Sequence, residues 1–500
     1  MSFTPRTVRL ESEDFACADL DVTRVDGVEA ISELYRFDLV LRPHDADHHV
    51  LDVEDIVGAA VALRFADDRG VDVRVVHAVV ADARALVDGA VQKGMARTPV
   101  VYHVELRPRA HRLGLVATQE VFLNLSVPEI IALKIERMEG GYAELRTRER
   151  YPTREFVVQY KETDLDFIRR LAEHVGIAFY FENHTGSDGF ESERIVFTDR
   201  TDGLPERFGE PLAFGPREES PAVHELAAHA RAVPQVFAVQ DYDYRHPRLD
   251  LGAIAEVPAG IGGVVEYGTH HRSPEEGQHL ANVRAEGAES ARKRFEGKGI
   301  VGWMSAGTRV LLEHAPFPGA KELLVARVEH HMVQPQTSAG APAAEVSGYD
   351  NVFEAVTLDR MFRPARTTPR PRIHGFITAV VQAAPNGVGP EGGVDPALDD
   401  EGRYHVQFHF DTADREGHRA SRPIRLALPF AGPNQGMHFP LTPETEVLVA
   451  FTDGDPDRPI IIGAVQNAVT PIRVNASDAH MHRIRSRHGL IVEFGKTRRN

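Results

Sequence analysis

The sequence predicts a mainly β protein with a few well-marked helices, ending in a small β-barrel. Three observations carry that prediction. Runs rich in Val, Phe and Tyr alternate with polar residues along most of the chain, which is the period of a half-buried strand. Only three stretches carry helix caps. After a Pro- and Arg-rich segment at 363–372, five short strand-like runs fall within 100 residues, at 373–382, 403–411, 423–430, 445–452 and 459–466.

The clearest strands before that segment are VDVRVVHAVV (71–80), PVVYHVELRP (99–108), REFVVQY (154–160) and QVFAVQDYDY (235–244). The first helix is expected in SVPEIIALKIERMEGG (126–141). Ser126 is its N-cap, Glu129 completes a capping box, and Gly140 and Gly141 stop it. The second lies in TDLDFIRRLAEHVG (163–176), with Thr163 as cap and Gly176 just past the end. Leu165, Ile168, Leu171, Ala172 and Val175 form its apolar stripe. The third starts at Ser273 with Pro274 at the first helical position and runs towards Phe295, weakened by Gly277 and Gly287. The stretch 335–345 reads as a loop, 363–372 as a domain linker, and 385–398 as a long loop within the final barrel.

Composition bounds the function. The chain has 500 residues, 42% hydrophobic and 26% charged, enough for two to four domains with real cores. No apolar run approaches the roughly 18 residues of a spanning helix, and the N-terminus has no apolar h-region. One cysteine, Cys17, cannot form an intrachain disulfide. A net charge of −17 argues against general binding to a phosphate backbone. Residues 471–500 are locally basic, with seven Lys or Arg against Asp478 and Glu493, which reads either as an interaction arm or as a solvated strand surface.

Catalytic constellations are missing where they would be legible. HELAAH (224–229) misses the HExxH spacing by one residue; His224 and His229 would lie about 140° apart on a helix. His405 and His409 share a strand face with Gln407, but about 13 Å apart, too far for one ion. The pairs His270–His271 and His330–His331 point to opposite faces if extended, and are expected as surface polar residues. There is no GxSxG and no Gly-rich phosphate loop, and acidic neighbours would raise rather than lower the Cys17 pKa. No catalytic, cofactor or metal residue is therefore assigned.

The segment DGDPDR (Asp453, Gly454, Asp455, Pro456, Asp457, Arg458) carries aspartates at positions 1, 3 and 5 of a calcium-loop spacing. It fails at Arg458, where Gly is required, and at Ala464, where Glu is required. Asp-Gly and Asp-Pro are turn formers, and EVLVAF and PIIIGAV flank them, so a β-hairpin turn is expected. Arg458 would pair locally with one aspartate, a contact worth little at a surface.

The order EGRYHVQFHFD (401–411), RPIRLALPFAG (422–432), GMHFP (436–440), EVLVAF and DGDPDRPIIIGAVQN resembles the OB-fold domain of VgrG proteins, the spike of the type VI secretion system. VDGVEAISELYRFDLVL (25–41), YKETDLDFIRRLAEHVGIAFYFE (160–182), QDYDYRHP (240–247), NVFEA (351–355) and RMFRPARTTPRP (360–371) resemble VgrG hub segments, so the similarity spans nearly the whole chain. It implies a baseplate-hub-like region over 1–370 with two tube-protein-like β-barrels and inserts. An OB-fold domain over 371–470 would follow, then a neck and the first strands of a trimeric β-helix needle over 471–500. Leu490, Val492 and Phe494 alternate as an inward needle face should. The implied function is a non-enzymatic, homotrimeric spike and hub that docks on a hexameric Hcp-like tube, contacts baseplate proteins and carries a PAAR-type tip protein or effector through a target membrane by mechanical puncture, with no nucleic-acid partner. Such a protein is cytoplasmic until firing and then leaves without a signal peptide. Family members carry a longer needle than the part seen here, Phe410 stands where they have Trp, and TPETEV (442–447) replaces a glycine-containing turn. Alternatives are the hub and spike of a phage tail or extracellular contractile system, a metal-dependent hydrolase, and a monomeric binding module.

Overall fold

A computed structural model describes residues 4–494 apart from 45–50, 88–99, 139–142, 186–190, 206–210, 218–221, 336–347, 385–393, 412–420, 434, 472–475 and 488. Gly140, Gly141, most of the 335–345 and 385–398 loops, and the last residues of the basic tail lie outside the described residues.

The chain forms two compact units. The first comprises residues 1–116, 131–150 and 168–368, and the second comprises 117–130, 151–167 and 369–500. In the first unit, strands of alternating pattern join into one long sheet. Its order is Thr7–Ser12, Ala60–Ala66, Asp72–Val87, Val100–Arg107, Arg36–Pro43, Leu20–Ala30, Glu322–Val333, Gly348–Thr357, Lys293–Gly299 and Val223–Ala230. Arg309–Glu313 branches from Glu322–Val333 and also pairs with Leu212–Ala213. This sheet curls around two separate cores. One gathers Val22, Phe37, Leu39, Leu63, Val76, Tyr102 and Leu106 from the first six strands. The other gathers Phe295, Met304, Val310, Leu323, Val328 and Phe353 from the remainder. The halves meet where Leu20–Ala30 pairs antiparallel with Glu322–Val333, from Arg24↔Val333 to Ala30↔Arg327.

Two small sheets are inserted. Ala178–Thr185, Glu191–Thr198 and Ala143–Arg146 make one. Val236–Gln240 lies between Ala253–Glu256 and Gly263–Tyr267 in the other, with helix Pro274–Arg292 packed beneath it. QVFAVQDYDY is thus extended only as far as Gln240. Asp241 and Asp243 then turn the chain, accepting from the N–H groups of Tyr242 and Arg245.

The helix caps behave as their chemistry requires. Glu129 accepts from the Ser126 N–H (2.7 Å) ahead of helix Val127–Glu136. Thr163 and Asp166 exchange hydrogen bonds at 2.9 and 3.0 Å ahead of Asp164–Val175. Gly176 follows with φ +79, the left-handed conformation that glycine adopts without a Cβ clash. The third helix tolerates Gly277 for a packing reason: a Cβ there would stand 2.8 Å from the buried His271 ring.

In the second unit, Val406–Phe408, Phe376–Val381, Glu446–Phe451 and Pro459–Val465 form a four-stranded antiparallel sheet. The 423–430 run, with Pro423 and Pro429, contributes only isolated bridges, Ile424 to Tyr404 and Leu426 to Ile461. The core is Ala379, Tyr404, Val406, Phe408, Val447, Val449 and Ile461. Val121 of Ala117–Phe122, Val158 of Val157–Thr163 and Phe156 just before that strand complete it. Phe410 stacks on Phe408 at 5.0 Å and meets Tyr160 edge-on at 5.6 Å.

Candidate functional site: buried polar junctions

The DGDPDR turn joins Glu446–Phe451 to its antiparallel neighbour Pro459–Val465. Asp453 (φ 53) and Gly454 (φ 71) are both left-handed, and the turn closes through Asp455 N–H to Thr452 O (3.0 Å) and Arg458 N–H to Asp455 O (2.9 Å). Asp453 points to solvent, whereas Asp455 and Asp457 are buried. Asp457 accepts the Val158 N–H at 2.7 Å. Arg370 reaches Asp455 at 2.9 Å and Asp457 at 4.0 Å, and Arg458 reaches Asp455 at 3.4 Å. Arg458 does pair locally with one aspartate, but that carboxylate is buried rather than at the surface, which corrects the expected setting. Two inward carboxylates are bound by an arginine of the 363–372 segment and by an early strand, and these contacts account for the every-second-residue spacing. The sequence signal for Arg370 was its place in a run of arginines, which could not say which one turns inward.

The first unit has a comparable junction where its halves meet. Glu29 accepts from Arg74 and lies 2.9 Å from His330 Nε2, while His330 Nδ1 lies 2.6 Å from the Tyr349 hydroxyl. Arg74 also donates to Met304 O at 2.9 Å. Burial, helped by the Arg74 charge, pushes the His330 pKa down. Burial raises that of Glu29, but Arg74 and His330 outweigh it and leave it below the usual range. His330 Nε2 also lies 3.0 Å from Arg74 Nη1, so the ring is held between a guanidinium and a carboxylate on one side and the Tyr349 hydroxyl on the other. Nearby, Glu193 accepts from the Tyr35 hydroxyl and the Arg109 N–H, and burial pushes its pKa up to about 7.

The 363–372 segment is pinned rather than loose. Arg363 bonds Glu286 (2.7 Å), Gly176 O (3.0 Å) and Asp199 O (2.8 Å). Glu173, buried on its helix, accepts from the Thr367 and Thr368 N–H groups at 3.0 Å each and from the Thr368 hydroxyl at 2.7 Å.

The histidines are dispersed. His224 and His229 lie on the strand Val223–Ala230, where i and i+5 face opposite sides. His405 Nδ1 lies 2.9 Å from Ser421 O, and His409 is exposed. His271 and His330 are buried, contrary to the surface expectation. His271 lies between Thr269 Oγ1 (2.7 Å) and Leu251 O (2.5 Å). The Cys17 thiol is pushed up to about 11 by burial and by Glu11, so it is a poor nucleophile at neutral pH.

Near the C-terminus, His482–Arg485 pairs antiparallel with Ile491–Phe494. Leu490 and Phe494 are 67% and 62% exposed, and Val492 is also open to solvent.

Comparison with known proteins matches this architecture. Residues 28–336 match the family described as phage tail baseplate hub (GPD), and residues 391–465 the type VI secretion system/phage-baseplate injector OB domain. VgrG4b of Pseudomonas aeruginosa, a type VI secretion system spike protein, is 31% identical over 91% of this chain and 55% of its own. VgrG1a of the same organism is 28% identical over 95% of this chain and 72% of its own. The chain thus spans only about half to three-quarters of the length of these relatives. Among solved structures, the Escherichia coli c3393 protein is described as a component of the type VI secretion system similar to the T4 tail proteins gp27 and gp5. It superposes with a TM-score of 0.64 at 22% identity, over 91% of this chain and all of that one. A Francisella PdpA–VgrG complex superposes with a TM-score of 0.62 at 9% identity, over 99% and 83%. The chain belongs to the phage tail baseplate hub family, and within it to the VgrG spike proteins of type VI secretion.

Proposed function

We propose that this chain is a non-enzymatic, trimeric hub and spike segment that docks on a hexameric Hcp-type tube and carries a tip or effector partner. The observation that supports this best is the long sheet curled around two separate cores. Three copies would present six similar halves, which lets a threefold object meet a sixfold one. The polar groups described above are spent on one another in structural junctions, in keeping with a mechanical role. A Vibrio cholerae relative is named an actin cross-linking toxin, but the match covers only 33% of that protein, so its named activity attaches to a much longer chain. The Francisella relative, solved with PdpA, favours a partner carried on the spike. The protein would be held in the cytoplasm until firing.

Mass photometry of the purified chain tests the assembly. Three times 55.3 kDa gives about 166 kDa, and a strict monomer at micromolar concentration would overturn the trimeric reading. Tube docking is tested by co-sedimentation with preformed Hcp rings, where retention at one trimer per ring is expected.

A further inference from the structure

The insert sheet of the first unit has one bare edge. Its strands are Ala253–Glu256, Val236–Gln240 and Gly263–Tyr267, in that order, and among the described residues no strand pairs with the outer side of Gly263–Tyr267. The parallel ladder includes Val236 N–H to Gly262 O (3.1 Å) and Gly268 N–H to Gln240 O (2.9 Å). That register directs residues 264 and 266 to the neighbouring strand. It leaves the N–H and C=O groups of Gly263, Val265 and Tyr267 facing outward.

Side chains on this edge are apolar and open. Val265 is 77% exposed and Tyr267 is 55% exposed. Ala238 is paired with both Ile254 and Val265, so Ile254, Ala238 and Val265 form an apolar row across the upper face. The lower face is closed. Val239 and Ala253 pack on Ala281 of helix Pro274–Arg292, and Phe237 and Ala255 lie against the cluster containing Ala285. Glu266, the only charge in the edge strand, points down and is held by Arg284 (3.0 Å) and Arg366 (2.7 Å). The strand carries no Pro, no Lys and no outward-facing charge; its one charge, Glu266, is turned away from the edge.

We propose that this edge is a strand-addition site for an extended segment of a partner protein, one with apolar residues at alternate positions. Main-chain groups of the segment would pair with Gly263, Val265 and Tyr267, and its upward side chains would extend the Ile254–Ala238–Val265 row. The free hydrogen-bonding groups specify an extended chain rather than a helix, and the seated helix keeps the platform rigid before binding. On the threefold assembly proposed above, a second copy pairing this edge with itself is a poorer occupant, because that contact is twofold.

The test uses the full chain and a fluorescein-labelled heptapeptide of alternating threonine and valine, read by fluorescence anisotropy. Saturable micromolar binding is expected, with slowed hydrogen exchange at the Val265 and Tyr267 amides. Val265→Pro removes an outward N–H without touching the inner ladder and should weaken binding at least tenfold. The same peptide with its pairing amides N-methylated should also bind at least tenfold more weakly, a control that needs no protein variant. Absence of binding, or equal binding by the N-methylated peptide, would overturn the proposal. So would a doubling of the particle mass that Val265→Pro abolishes, since a second copy would then own the edge. None of these outcomes depends on the trimer or on tube docking.

Discussion

At the scale of single residues, the chain spends its buried charges on holding segments together. Asp457 is the sharpest case, because its carboxylate is the partner of the buried Val158 N–H. Asp457→Ala removes that acceptor, a cost of about 1–3 kcal/mol. Asp457→Asn keeps an acceptor and loses only the longer Arg370 contact, so it should cost distinctly less; urea denaturation of both variants measures the difference. Glu193 makes a pH prediction. Its pKa in the fold is raised from 4.5 to about 7, so the folded chain holds a proton that the unfolded chain releases. Its contribution to stability is complete below about pH 4.5, declines above that and is gone once pH passes about 7. Melting temperatures should therefore fall across that window in the parent, and Glu193→Gln should flatten this part of the profile.

At the scale of elements, the readable features were local ones. Ser126–Glu129 and Thr163–Asp166 lie three residues apart, so the cap that starts each helix is written in adjacent sequence. Strand periodicity likewise exposed Glu446–Phe451 and Pro459–Val465 and the turn between them. What could not be read was which local feature has a distant partner. Val158 and Asp457 are 299 positions apart, and no spacing rule connects them. For the same reason the Pro- and Arg-rich stretch read as a linker, although Glu173 and its own arginines fasten it. Glu173→Ala would leave the Thr367 and Thr368 N–H groups without their acceptor. Limited trypsin digestion should then cut after Arg366, which Thr367 follows, several times faster than in the parent, with the strands of the long sheet remaining resistant.

For the whole molecule, the proposed threefold association has two candidate sources, the hub and the needle. A lone chain leaves Leu490, Val492 and Phe494 exposed beside a two-stranded ribbon, and an isolated ribbon of that size is marginal in water. Apolar side chains at alternate positions on such a ribbon acquire a purpose if copies bury them against one another. Burying a Val or Phe side chain is worth about 1.5–3 kcal/mol, and an interface repeated three times multiplies the effect. Val492→Asp with Phe494→Asp should therefore shift the mass distribution from about 166 kDa, three times the 55.3 kDa chain, towards monomer at low micromolar concentration. The main melting transition should stay where it was, because neither residue belongs to the cores of the long sheet. A trimer that persists unchanged would assign the association to the hub and remove these three residues from the interface.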